Sequence, residues 1–252
     1  MTSSGADRHS TPDAQPTGRR FGQLARVRPE KIDDYKRLHA QIWPDVARGL
    51  TENQLHNYSI WLQELAPGEH YLFGCFEYTG DDFDADMARM NEDAMVQKWE
   101  QAAGDECLLK VSPDDEDWWV DLEEIFHDGA AADRVMDLAQ VQHFGQVIGV
   151  RPERVDAYRY LHRYAWPELR AALRRGNVRH ARCCLAQLGE KYYVFRYFEH
   201  IGDDLHADMT LLSADPAVQA WVRLIDEACH LPIRSCKPDE RWAMMEKVFY
   251  QP

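Results

Sequence analysis

Residues able to move protons recur in this 252-residue chain at a spacing that would bring them together. Tyr35, His39 and Trp43 stand at i, i+4 and i+8, and Tyr158, His162 and Trp166 repeat the string 123 positions further on. On a helix that spacing puts each trio in one column on one face. An imidazole, with an ordinary pKa of about 6.5, can take up or release a proton near neutral pH. A phenol one turn before it can act as its hydrogen-bonding partner or as a second proton carrier. We read His39 as the acid–base group and Tyr35 as its partner. Packing is the competing explanation, because a duplicated core repeats its residues as faithfully as a duplicated site.

The elements that must position these residues emerge when the two halves are laid side by side. RFGQLARVRPEKIDDYKRLHAQIWPDV from Arg20 aligns with HFGQVIGVRPERVDAYRYLHRYAWPEL from His143. EYTGDDFDADM from Glu77 aligns with EHIGDDLHADM from Glu199, Trp99 with Trp221, and WVDLEEIFH from Trp119 with WAMMEKVFY from Trp242. We therefore expect a tail over residues 1–18, a first repeat over 19–129, a linker over 130–140 and a diverged second repeat over 141–252. Within a repeat, apolar strand patterns flank two helical ones in the order β-α-β-β-α-β. Pro44 and Pro167, directly after the Trp, should break the first helix and restart it. The repeated Gly-Asp-Asp precedes the second helix and reads as a turn with an Asp N-cap.

This order makes the fold class α+β, with two ferredoxin-like repeats. Each sheet would carry helices on one face and leave the other apolar and uncovered. The second copy can cover it, giving a sheet-to-sheet, intrachain pseudo-dimeric α/β barrel that is self-contained and leaves further oligomerisation open.

Composition narrows the partners. Acidic residues number 43 against 29 Lys and Arg, a formal charge of −14, the wrong sign for holding a nucleic acid backbone. Mean hydropathy is −0.57, and no apolar run reaches the roughly 18–20 residues of a membrane span. The polar, Ser/Thr/Pro-rich first residues have no signal-peptide pattern, so we expect a disordered, uncleaved tail and a cytoplasmic protein. Six cysteines show neither CxxC pairs nor metal-ligand spacing, and we read them as reduced thiols. No metal site, P-loop, dinucleotide fingerprint or serine-hydrolase elbow is present as a motif. The expected partner is a small molecule.

DDYKRLHAQIWPDV, LHNYSIWL, LFGCFEYTGDDFDADM and WWVDLEEIFH resemble the L-rhamnose mutarotases, small dimeric α/β-barrel proteins of about one repeat's length. The resemblance covers nearly all of the first repeat and most of the second. It implies cofactor-free interconversion of sugar anomers, with Tyr35, His39, Tyr158 and His162 in the catalytic positions. The second repeat departs from it, carrying Arg179-His180-Ala181 opposite His56-Asn57-Tyr58, and Cys184 opposite Trp61.

Ligand-contacting candidates come from residue type. Pockets are mostly apolar and aromatic with few polar anchors, and eight tryptophans are a heavy load. We take Trp43, Trp99, Trp118, Trp119, Trp166, Trp221 and Trp242 as candidates to stack on a ligand. Asn57 would read a hydroxyl in the first copy, beside Tyr58. Glu123 and Glu246 share a strand face with Ile125 and Val248, as either buried acceptors or site carboxylates. Two further readings stand beside the mutarotase: an isomerase or cyclase acting on a larger metabolite, and a binding protein without catalysis.

Overall fold

The computed structural model describes residues 18–129, 141–233, 236 and 240–252. Apart from Gly18, the expected tail and linker lie outside the described residues. Strand β1 (Arg19–Val27) leads through a short turn opened by Pro29 into α1 (Ile32–Ala40). Trp43 is extended (φ −66°, ψ 136°), and Pro44 opens α2 (Pro44–Glu52), the break that the proline predicts. A hairpin of β2 (Leu55–Ala66) and β3 (Glu69–Tyr78) turns at Gly68 with φ +75°. Asp82 then caps α3 (Phe83–Asn91) by accepting from Ala85 N at 3.1 Å. Next come α4 (Ala94–Glu100), continued as a π turn over Gln101–Asp105, and the short strands β4 (Leu108–Leu109), β5 (Val120–Asp121) and β6 (Glu123–Asp128).

The second copy repeats this order. It runs through β7 (Gln142–Val150), α5 (Val155–Arg163), α6 (Pro167–Arg175), β8 (Val178–Leu188) and β9 (Lys191–His200). Then follow α7 (Leu205–Ala214), α8 (Pro216–Cys229), β10 (His230–Leu231), β11 (Ala243–Met244) and β12 (Glu246–Gln251). Asp204 caps α7 as Asp82 caps α3, accepting from Ala207 N at 3.0 Å.

The sheet orders are β12-β2-β3-β1-β4, with β5 also on β1, and β10-β7-β9-β8-β6, with β11 also on β7. All pairings are antiparallel. The strand that ends each copy thus belongs to the other copy's sheet, an exchange invisible to a repeat-by-repeat reading. β12 lies along β2, and β6 along β8.

Helical and strand residues share two apolar clusters, one per repeat, while a third contains only strand and loop residues of both copies. That third cluster is the sheet-to-sheet core. Phe73 and Phe195 stack across it with ring centres 5.2 Å apart. Gly22 and Gly145 make close approach possible: a Cβ would fall 2.5 Å from Cys184 Sγ at the first and 2.5 Å from the Trp61 indole at the second. Trp61 cannot yield, since it is buried and its indole N–H donates to Ser59 Oγ at 3.1 Å. Gly145→Ala should therefore lower stability by about 1–3 kcal/mol, measured by urea unfolding; an unchanged midpoint would show that the interface is loosely packed there.

Polar groups rim this core. Asn57 Nδ2 and Arg179 Nε donate to Glu199 at 3.0 and 2.6 Å, and Arg182 Nη1 donates to the Phe21 carbonyl at 2.9 Å. The Asn57 and Arg182 bonds join the copies inside a largely apolar contact, and Arg179 holds Glu199 in place for the first of them.

Candidate active site

The first repeat encloses a cavity of about 530 Å³ between its sheet and helices, with β12 along one side. Tyr35 and His39 both line it, their rings stacked at 4.1 Å. The helical column therefore delivers both groups to one space. His39 Nδ1 donates to the Tyr35 carbonyl at 2.9 Å, which fixes the neutral tautomer and leaves Nε2 as an acceptor. Burial pulls this imidazole down to about 4, against the carbonyl's opposing pull. Burial also pushes the Tyr35 hydroxyl well up, aided by Tyr58 and Cys107. At neutral pH the pair is a bare imidazole base and an intact phenol.

Tyr58, Trp99, Trp118 and Trp119 complete the expected walls. Trp99 meets the His39 ring edge-on at 5.1 Å. Tyr58 enters because β2 bulges between His56 and Ser59, with Asn57 at φ +50°. The same bulge takes Asn57 out of the cavity and into the polar rim, bonded to Glu199 and Tyr197. Asn57 is thus a contact between the copies and does not line the cavity. Trp43 also falls outside; it packs behind Trp99 at 5.5 Å and borders a separate cleft of about 350 Å³ with Asp34 and Arg37. Trp166 takes the equivalent place behind Trp221, at 5.5 Å.

The two strand glutamates line neither cavity and are bound to cations instead. Strand exchange carries Glu123 to α5, where Arg159 and Arg163 hold it at 2.9 and 2.5 Å, and carries Glu246 to Lys36 of α1 at 2.7 Å. Exchange also supplies a wall that the alignment does not assign. Phe249 of the second copy meets His39 edge-on at 5.6 Å in the first cavity, and Phe126 of the first copy meets His162 at 6.3 Å in the second. Glu100 is another residue that the sequence reading passes over. It lines the first cavity, and its carboxyl is pushed up by burial and then by Asp105. Its second-copy counterpart is Val222, a polar-to-apolar difference visible in the alignment.

The second repeat keeps the pair but not the space. His162 Nδ1 donates to the Tyr158 carbonyl at 3.0 Å, the rings stack at 4.1 Å, and burial pulls His162 to about 4. The cavity beside it is only about 160 Å³, lined by His162, Trp221 and Trp242 among others. Tyr158 is fully buried, and its hydroxyl lies 3.1 Å from His230 Nε2, a residue replacing Leu108 of the first copy.

Two exchanged-strand α+β repeats joined sheet to sheet, each with a cavity on its helical side bordered by a helix histidine and by tryptophan, define a dimeric α/β barrel carried on one chain. A solved structure named as a candidate monooxygenase of Fusobacterium nucleatum shares that fold over 92% of this chain and 93% of its own, with a TM-score of 0.53 and 7% identity. The sequence pattern of L-rhamnose mutarotase matches twice, over residues 20–128 and 143–251. The L-rhamnose mutarotase of Oceanobacillus iheyensis is 32% identical over 109 residues, 43% of this chain and 97% of its own length. That of Ligilactobacillus salivarius is 32% identical over 111 residues, 43% of this chain and 95% of its own. The chain belongs to the L-rhamnose mutarotase family, as a tandem duplication, and is an isomerase-type enzyme of a family that interconverts sugar anomers. Among the described residues no helix is long and apolar enough to cross a membrane.

Proposed function

We propose that the first cavity interconverts the anomers of L-rhamnose or a related pyranose by proton transfer through His39 and Tyr35, without a cofactor. The observation that carries this reading is the fixed tautomer: Nδ1 is held by the Tyr35 carbonyl, so Nε2 offers its lone pair beside an intact phenol. Ring opening removes the proton on the anomeric oxygen and adds one to the ring oxygen. His39 takes the first, and Tyr35 donates toward the second. The C1–C2 bond of the open aldehyde rotates, and the same transfers run in reverse close the other anomer. No electrons change hands. Glu100 borders the same cavity as a polar group able to hydrogen-bond a sugar hydroxyl. The aromatic walls stack on the apolar C–H face of a sugar.

One feature favours a second reading. The cavity of about 530 Å³ exceeds what one sugar ring fills, and its walls include Phe83, Met87 and Met90, so the same proton transfers would serve an isomerase or cyclase acting on a larger metabolite.

The pH profile of anomer exchange tests the assignment. A base active as neutral imidazole, with its pKa near 4, keeps its full rate from about pH 5.5 to 9 and loses it as pH falls through about 4. Saturation-transfer NMR on L-rhamnose across this range should show that plateau. A midpoint near 6.5 would mean that the acting histidine is a solvated one and would remove His39 from the role.

A further inference from the structure

The second cavity is a different chemical environment from the first, and substitution at aligned positions made it so. Gly74 is replaced by Arg196, Gly104 by Asp226, Leu108 by His230 and Trp118 by Arg241, while Tyr58 is replaced by Ala181. In the first copy Trp118 lies over Gly104, where a Cβ would fall 2.4 Å from the indole. In the second, Arg241 Nη1 and Asp226 Oδ2 form an ion pair at 2.9 Å in its place. The other Asp226 oxygen accepts from His230 Nδ1 at 2.8 Å, and His230 Nε2 then meets the Tyr158 hydroxyl at 3.1 Å. Both oxygens of Asp226 are taken, and its charge is matched by Arg241.

Arg196 has no direct ion pair. Its guanidinium lies over the Trp242 ring at 4.2 Å, and its Nε donates to the neutral Gln146 side chain at 2.9 Å, with Nη2 on the same oxygen. Among the described residues no carboxylate is within ion-pair distance of it, and Nη1 has no partner. It borders the cavity together with His162, whose Nε2 is also unpartnered among the described residues. The remaining walls include Asp226 and His230, engaged with each other, and the apolar Phe126, Leu169, Leu173 and Trp221. Asp226 acts on Arg196 only through space, its oxygens being held by Arg241 and His230, so a buried guanidinium without a direct ion pair leaves room for an anion, because an unpaired charge there is expensive. The size of the space limits the rest of the ligand. About 160 Å³ is close to the roughly 150 Å³ that holds one benzene in an unrelated protein cavity, so a six-atom apolar body with one charged group fills it.

We propose that the second cavity is a binding site for a small monocarboxylate with a compact apolar body, its carboxylate paired with Arg196 and its body among Leu169, Leu173 and Trp221. The planar guanidinium edge suits a carboxylate, and the Trp242 stack holds that edge in place. This site does not depend on the sugar reading of the first cavity, and its test uses binding alone.

The probes are benzoate, 3-methylbutanoate, benzyl alcohol and inorganic phosphate, titrated onto the full chain by calorimetry and ligand-observed NMR. At least one of the two carboxylates should bind saturably. Benzyl alcohol, the neutral analogue of benzoate, and phosphate, an anion without an apolar body, should each bind roughly tenfold weaker or worse. Arg196→Gln should weaken the carboxylate by a similar factor, and His39→Ala, in the other cavity, should leave it unchanged. Failure of folded protein to bind either carboxylate, benzyl alcohol binding as well as benzoate, or an Arg196→Gln protein binding like the parent would overturn the proposal. Phosphate equal to benzoate would overturn the ligand class. Should Arg196→Gln fail to fold, the benzoate against benzyl alcohol comparison on the unaltered chain still decides the matter.

Discussion

Replacing His39 with alanine should lower the protein-catalysed rate of anomer exchange by roughly 100-fold or more, the usual contribution of a positioned acid–base group, while His162→Ala leaves most of it. The asymmetry follows from the surroundings of two nearly identical pairs. Both histidines hold the same tautomer through the same i, i−4 carbonyl bond, at 2.9 and 3.0 Å, and burial brings both to about 4. Their spaces differ. The His39 imidazole opens on about 530 Å³ and the His162 imidazole on about 160 Å³, with the Tyr158 hydroxyl already engaged by His230. Exchange rates of both variants, measured on the same sugar, check this. Equal losses would show that the second cavity opens to sugar after all.

Deleting residues 246–252 should abolish exchange in the first cavity even though the whole first repeat stays intact. Strand β12 pairs with β2 and brings Phe249 to within 5.6 Å of the His39 ring and 5.7 Å of Tyr58. Its loss opens one wall of the cavity and bares the β2 edge, which invites association. Phe249→Ala is the milder form: the fold persists, and the rate drops by roughly tenfold as the imidazole becomes wetter and less fixed. Exchange kinetics with size-exclusion chromatography separate the two effects. Full activity in the truncated chain would contradict the claim that each copy completes the other's site.

Much of this architecture is legible in the residues. The i, i+4 spacing of Tyr35 and His39 places them together because helical geometry alone determines it, and the Pro44 break and the Asp82 cap follow from equally local rules. What escapes is non-local. Glu123 and Glu246 read from the sequence as either buried acceptors or site carboxylates on a strand face, and strand exchange carries each to cations on the opposite copy's helix. Asn57 has the right type and the right strand, but a bulge with a left-handed φ of +50° turns it to the other copy. Trp43 and Trp99 share a repeat and a residue type, yet only Trp99 borders the cavity, since Trp43 stands in the extended link before Pro44. The chemistry of the second cavity was present in the alignment as differences: Arg196 for Gly74 and His230 for Leu108 carry more information than the identities that reveal the duplication.

Anomer exchange in the first cavity of this duplicated chain should run through His39. Saturation-transfer NMR on L-rhamnose, with and without the full chain at neutral pH, tests it most directly. Strong transfer between the α and β anomeric signals that depends on the protein and disappears with His39→Ala is the expected result. Folded protein that leaves the exchange at its uncatalysed rate, or transfer that persists undiminished in His39→Ala, would contradict it.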